Sequence, residues 1–494
     1  MPEALADAAA VAVADRTERD SLGELSVPHS AYFGIHTARA LQNFPISGIA
    51  LSTYPEFIDA IAAVKQAAAI TNCELGLIDR QRADAIAAAC AEIRAGALHD
   101  QFVVDVIQGG AGTSTNMNAN EVIANRALEN LGAVRGDYDR LHPLEHVNRS
   151  QSTNDVYPTA IKVALQVYIA TLHSTLIDVA AAFRTKAAEF KSVLKMGRTQ
   201  LQDAVPMTLG QEFGTYAIMV TEDAERLLEA SRLVAEINLG GTAIGTGLNA
   251  HPRYAALVCD RLNTITGFSL STAQDLVEAT QDVGAFVQVS GVLKRTALKL
   301  SKICNDLRLL SSGPRSGFNE INLPPVQSGS SIMPGKVNPV IPEVVNQVAF
   351  EVAGHDVTIS MAAEGGQLQL NAFEPIIAHS LFQSLTHLNT ACRTLIDRCV
   401  TGITANEARL HDSVTNSIGV ITALSPYIGY APSARIAKIA LQTGRPIPEL
   451  VVEDGLLTAD QVADLLVPES LVSPREMLAL AAVAEHGPEK DAIA

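Results

Sequence analysis

From Leu276 to Leu307, apolar and small residues recur alternately three and four positions apart. The series is Leu276, Ala279, Val283, Phe286, Ser290, Leu293, Ala297, Leu300, Cys304 and Leu307. Such spacing puts every member on one face of an α-helix and leaves a strand with no consistent buried side. The stripe predicts a single helix of about 35 residues, roughly 50 Å long, stopped by Ser312-Gly313-Pro314. A second stripe runs through Ile161, Leu165, Ile169, Leu172, Leu176, Val179 and Phe183. It follows Pro158, which suits a helix start. Further helical patterns cover Thr208 to Glu236 and Pro342 to Glu364. Two shorter ones, Phe57 to Leu75 and Asp79 to Ala97, precede them. The chain is therefore expected to be mainly α. Long helices of this kind form either a closed antiparallel bundle or one whose core is completed by further subunits. With 48 % hydrophobic residues, the second arrangement is expected.

The pattern changes twice along the 494 residues. Residues 16–150 mix turns with short helices, 151–405 carry the long helices, and 406–494 are broken by repeated prolines. These are the expected domains, after an N-terminal extension over 1–15. That extension carries Glu3, Asp7 and Asp15 and has no basic start. It reads as a disordered segment rather than a signal peptide. No apolar run reaches ~18 residues, so no transmembrane helix is expected. The formal charge is -17, from 53 acidic and 36 basic residues. That excess disfavours nucleic acid as a partner. It also requires any small dianion to be held by local donors. The six cysteines form no C-x-x-C pair and have no histidine at zinc-ligand spacing, as in a reducing cytoplasm. His142 and His146 lie four apart, but Pro143 and a loop-like context argue against a metal site.

Four polar clusters fall at the boundaries of the helical patterns. They are Gly109–Asn118, Gln151–Asp155, Gly197–Asp203 and Gly329–Pro339. The last reads Gly-Ser-Ser-Ile-Met-Pro-Gly-Lys-Val-Asn-Pro. It is not a phosphate-binding P-loop. Its glycines are one residue too far apart, Val337 replaces the Ser/Thr that would hold magnesium, and Pro334 lacks an N–H. Each cluster alone is also readable as a helix cap or a turn. Together they supply hydroxyls, amides and one cation. Such donors bind a carboxylate and stabilise the second charge that appears on it when a neighbouring proton is removed.

Over the span from about Asp20 to the C-terminus, these motifs resemble the aspartate ammonia-lyases of the aspartase/fumarase superfamily. The matching stretches are Tyr32-Phe33-Gly34-Ile35-His36-Thr37 with Arg39, Gly-Gly-Ala-Gly-Thr-Ser, Gln-Ser-Thr-Asn-Asp, Gly-Arg-Thr-Gln-Leu-Gln-Asp-Ala and the Gly-Ser-Ser loop. The resemblance implies a three-domain fold with a central five-helix bundle. It implies a homotetramer whose active sites each draw on three subunits, and a cytoplasmic enzyme. The implied reaction is reversible deamination of L-aspartate to fumarate and ammonia through an aci-carboxylate. Ser330 would be the general base, activated by backbone N–H groups, loop closure and Lys336. Thr113, Ser152, Thr153 and Ser331 would hold the β-carboxylate. Lys336, Asn338 and Thr199 would hold the α-carboxylate. Asn154 and Gln200 would face the amino group, and Arg39 would support the carboxylate end. Gly329 and Gly335 would let the loop move. No cofactor is implied as a requirement, although activation by a divalent cation such as magnesium is compatible with the family. Class II fumarase shares the serine loop and is the alternative, with a non-catalytic relative as the third reading. Fumarases carry Thr-Gly-Ser-Gly-Thr at the first cluster, His at the Gln200 position and commonly Gln-Ser-Ser-Asn at the second. A hydroxide leaving group profits from a titratable donor, whereas an amine does not need one.

Overall fold

The computed structural model describes residues 15–472, so most of the expected extension lies outside the described residues. An antiparallel hairpin, β1 (Arg16–Asp20) and β2 (Gly23–Val27), opens the chain. It is followed by α1 (Ile35–Asn43), α2 (Pro55–Glu74), α3 (Arg80–Arg94) and α4 (Thr113–Asn130). Next come α5 (Thr153–Glu189), the hairpin β3 (Leu194–Thr199) and β4 (Gln202–Thr208), and α6 (Leu209–Ser231). Then follow α7 (Tyr254–Thr266), α8 (Leu276–Gln281), α9 (Gly284–Leu310), α10 (Val340–Glu364) and α11 (Glu374–Arg398). The C-terminal part holds α12 (Glu407–Thr415), α13 (Ile421–Ile428), α14 (Tyr430–Thr443), α15 (Ile447–Glu453) and α16 (Ala459–Leu465). The protein is mainly helical, and among the described residues the helices longer than α2 are α5, α6, α9, α10 and α11.

Two compact units are present. The first gathers the residues up to Ser174 with Asp223–Leu298 and Val348–Asn389. The second gathers Thr175–Glu222, Lys299–Gln347 and the residues from Thr390. Each long helix contributes residues to both. In the first unit, Tyr54, Phe57, Tyr168 and Phe382 pack ring on ring. In the second, Phe183, Phe190, Phe213 and Tyr216 do the same. Burying one such ring contributes about 1.5–3 kcal/mol. The C-terminal helices close a separate cluster of Leu424, Ile436, Leu450 and Val451. All six cysteines are free thiols, and burial pushes Cys392 up to about 12.

Two expectations change. The stripe from Leu276 is two helices, not one. Asp282 is extended, and its carboxylate accepts from the Gly284 N–H at 3.0 Å, starting α9 afresh. Pro158 lies inside α5 rather than before it. A proline leaves the carbonyl four residues back without its helical donor. Here Asn238 Nδ2 donates to that Asn154 carbonyl at 3.0 Å, which lets the helix begin at Thr153. By length and composition alone α5 is apolar enough to cross a membrane, although it contains no unbroken apolar run of that length. Over half of its most apolar window is buried inside the protein, so that face packs the core.

On α10, Phe350, Val357 and Met361 are 65, 58 and 70 % exposed. Their spacing puts them on one face. At the start of α11, Glu374 is buried and burial pushes its carboxyl up to about 8, opposed by Lys162. An unfolded glutamate titrates near 4.3. The folded state therefore holds an extra proton between those values, and the stability this group contributes is lost as pH rises through that window. Replacing it removes this loss. The melting temperature of Glu374→Gln relative to wild type should rise by about 2 °C or more between pH 4.5 and 8; a difference independent of pH would contradict this assignment.

Candidate active site

In the first unit, the Gly109–Asn118 cluster forms the turn into α4. Gly110, Ala111 and Gly112 all have positive φ, at 90, 55 and 86°. Gly112 has a second constraint, since a Cβ there would lie 2.5 Å from the Tyr157 ring. Thr113 is therefore the first residue of α4, exposed, with Oγ1 donating to the Gly110 carbonyl at 2.7 Å. The Thr113 N–H is taken by the Gly110 carbonyl and the Thr115 N–H by Gln108 Oε1, both at 3.0 Å, so the pull of this helix start on a carboxylate comes mainly from the helix dipole.

The Gln151–Asp155 cluster starts α5. Ser152 Oγ accepts from the Asn154 N–H at 3.3 Å, and Thr153 Oγ1 accepts from Asn116 Nδ2 at 3.0 Å. That second bond joins the first turn of α4, which begins with Thr113, to the start of α5, which carries Ser152, Thr153 and Asn154. Below them lies Lys65, fully buried in α2. Its ammonium donates to Asn148 Oδ1 at 2.8 Å and Gln151 Oε1 at 2.9 Å. Burial pushes this group down to about 7, with Asp155 opposing. Asp155 is buried too, and burial pushes it up to about 6 despite the backbone N–H groups it accepts from.

Two features here escaped the sequence reading. Lys65 was passed over, although a lone cation within Ala60–Ala69 was the available signal. The loop Asn238–Asn249 was also missed. Its Gly-Gly-Thr-Ala-Ile-Gly-Thr-Gly run has the same small-donor composition as the four chosen clusters.

Arg39 is placed differently from expectation. Its Nε and Nη2 donate to the two Asp20 oxygens at 2.7 and 2.8 Å, and Nη2 also to the Gly23 carbonyl. This fork holds the β1–β2 hairpin to α1, and it keeps Asp20 down at about 2. In this chain Arg39 presents no free fork to a substrate.

In the second unit, Thr199 and Gln200 stand at the exposed tip of the β3–β4 hairpin. The two turn residues, Gln200 and Leu201, have φ of 53 and 62°. Asn-Gly usually occupies such a turn. Strained positions of this kind cluster at functional sites. The stalk is fixed by Glu320, which pairs with Lys195 at 2.8 Å and with Arg198.

The 329–339 loop also belongs to the second unit. Ser330 Oγ accepts two backbone hydrogen bonds, from Met333 N–H at 2.9 Å and Ile332 N–H at 3.2 Å. The loop neck is closed by Gly329 N–H to the Lys336 carbonyl at 2.9 Å and by Asn338 Nδ2 to the Gly329 carbonyl at 2.7 Å. Asn338 thus has one amide N–H engaged and one to offer. Gly329 is needed for close approach, because a Cβ would lie 2.3 Å from the Lys336 oxygen. Gly335 has φ of 78° with open space around it. Ser331 and Lys336 are exposed. A cleft of about 680 Å³ beside the loop is lined by Arg308, Ser312, Asn319, Asn322, Lys336 and Asn338, with no carboxylate among its lining residues. In a chain of charge -17, this is local ground for an anion.

His142 caps a π-helical turn (Pro143–Val147) that contains His146, and each Nδ1 accepts from a backbone N–H, that of Leu144 for His142 and that of His142 for His146. Among the described residues, no three His, Cys, Asp or Glu side chains gather as a metal site.

Residues 23–354 match the model of a family described as lyase, and 420–473 match the fumarase C C-terminus. The chain is 60 % identical over 461 residues to the aspartate ammonia-lyase of Pseudomonas aeruginosa, covering 93 % of this chain and 97 % of that one. It is 52 % identical to the Escherichia coli aspartate ammonia-lyase, covering 93 % and 96 %. Among solved structures, it resembles a fumarate lyase:delta crystallin from Brucella melitensis bound to cobalt. That match has a TM-score of 0.91 and 54 % identity, and covers 93 % of this chain and 100 % of that one. The class II fumarase of Schistosoma mansoni superposes with a TM-score of 0.89 at 34 % identity, over 94 % and 100 %.

Proposed function

The chain belongs to the lyase family that matches it over residues 23–354, and on that premise we propose that it catalyses the reversible deamination of L-aspartate to fumarate and ammonia. The observation that carries the chemistry is the Ser330 oxygen under two backbone N–H groups. A serine hydroxyl is far too weak a base unless its oxyanion is stabilised. Two oriented N–H groups supply part of that stabilisation, and Lys336 would supply the rest.

In this reading Ser330 takes the Cβ proton. The electron pair moves into the β-carboxylate, which gains a second negative charge. Thr113, Ser152, Thr153, Ser331 and the start of α4 hold that aci form, where donors act most strongly. Lys336, Asn338 and Thr199 hold the α-carboxylate. Asn154 and Gln200 face the amino group, which leaves as the aci form collapses to fumarate. Gln200 cannot titrate, which suits ammonia better than hydroxide as leaving group. The purified protein should release fumarate from L-aspartate and not from L-malate; the reverse preference would overturn the assignment.

Lys336→Ala should raise the KM for aspartate about 100-fold or more, since a charged hydrogen bond to a carboxylate is lost. An unchanged KM would remove Lys336 from the carboxylate site.

The same reading keeps three domains, divided near residues 150 and 405, around a five-helix bundle. It makes the enzyme a cytoplasmic homotetramer with sites shared by three subunits. The exposed apolar face of α10 supports this association, because such a face is costly to leave in water. A solution mass of one chain would refute it. No cofactor is assigned to the chemistry. Magnesium, if it acts, activates from a separate site, so chelation should leave basal turnover intact, and abolition would refute that.

A further inference from the structure

Asn154 Nδ2 lies 2.7 Å from the Ala243 carbonyl oxygen. A carbonyl oxygen only accepts, so the atom facing it is the amide NH2. Asn154 Oδ1 is therefore the other end of a fixed amide, and no described residue donates to it. The carbonyl that fixes it is itself held. Asp155 Oδ2 accepts from the Gly240 and Thr242 N–H groups at 3.0 and 2.9 Å. Its Oδ1 accepts from the Ser152 N–H at 3.0 Å. One buried carboxylate thus ties the 240–242 backbone to the start of α5. Gly245 presses the loop against α8: its φ is 89°, and a Cβ would lie 2.2 Å from the Leu276 oxygen. Asn238 Nδ2, bound to the Asn154 carbonyl, holds the same residue from its backbone side.

We infer that the Gly240–Gly245 loop sets the nitrogen selectivity of the site by locking Asn154 with its acceptor oxygen toward the leaving group. This rests on the proposed role of Asn154 at the amino end. Ammonia has one lone pair, which must point at carbon as the C–N bond forms or breaks. Only its N–H groups remain for the protein, so the pocket must offer acceptors. Water has two lone pairs and can take a hydrogen bond from an NH2 while attacking with the other. An amide locked acceptor-first therefore favours ammonia, and a freely flipping one favours it less. Asp155 and Gly245 are positioning residues here; neither is assigned a contact with substrate.

The test is steady-state addition in the full-length enzyme, varying fumarate and ammonium independently. Asp155→Asn offers one acceptor oxygen and one NH2, so it cannot accept from both Ser152 and the 240–242 backbone. The KM for ammonium should rise about tenfold or more while that for fumarate stays within about twofold, and the malate fraction of the product should increase. Equal shifts in both constants, or none, would overturn the inference. Because Asp155 is buried, Gly245→Ala is the second variant. It displaces the loop from α8 without touching Asp155 or Asn154, and the same ammonium-selective shift is expected. If wild type itself made no aspartate, the deamination reading would fail instead. Wild-type aspartate formation with an unmoved ammonium KM in the variants would sink the loop inference alone.

Discussion

Replacing Ser330 by alanine should lower kcat on the order of 10³-fold and leave the helical fold unchanged. The loop carrying Ser330 is exposed and contributes nothing to either aromatic core, so the melting temperature should hold within a few degrees. The effect is large because the oxygen is the proposed base and its N–H partners strengthen when it becomes charged. Serine oxygens also accept such bonds in ordinary turns. The two roles give different kinetics. A turn residue shapes the loop, so its loss would raise KM and lower kcat together. A base acts in the chemical step, so kcat falls with KM nearly fixed. Turnover within about tenfold of wild type would remove Ser330 from the mechanism.

Gly329→Ala should lower turnover on the order of 100-fold, with little loss of stability. A methyl group there would meet the Lys336 oxygen at 2.3 Å and the Asn338 nitrogen at 2.8 Å. The neck must open, and Ser330, Lys336 and Asn338 all shift with it. Misplacement by about 1 Å is enough for such a loss. Gly335 lacks this constraint, so its alanine variant carries only the left-handed backbone penalty of about 1 kcal/mol. Equal, mild effects at both glycines would show that the neck does not position the site. The sequence suggested hinges at both positions; the structure makes Gly329 a point of close approach.

Much of the fold was legible because three-and-four spacing survives in α5 and along α8–α9; α11 was not read, although Ile377, Leu381, Leu385, Leu388, Cys392 and Leu395 keep that spacing. Ends and breaks were less so. The gap at Asp282 falls where the stripe continues without a phase shift, so periodicity cannot reveal it. The Pro158 position depends on Asn238 donating to the Asn154 carbonyl, a bond spanning 84 residues that no local pattern encodes. The donor clusters were readable from composition, but their partners were not. Arg39 finds its carboxylate in Asp20, across a hairpin that short-range patterns did not flag. The Gln200–Leu201 turn lacks the Asn-Gly signal, and the Lys195 and Arg198 pairs that anchor β3 below it reach Glu320, far along the sequence. Lys65 hid in an alanine-rich helix because burying a cation makes sense only once Asn148 and Gln151 are seen around it.

The most direct test of the central claim is NMR identification of the product formed from fumarate and ammonium in deuterated water. L-Aspartate carrying a single deuteron at C3, delivered by the exchangeable Ser330 hydroxyl, is the expected product. Malate as the main product, or no product from folded protein, would contradict it.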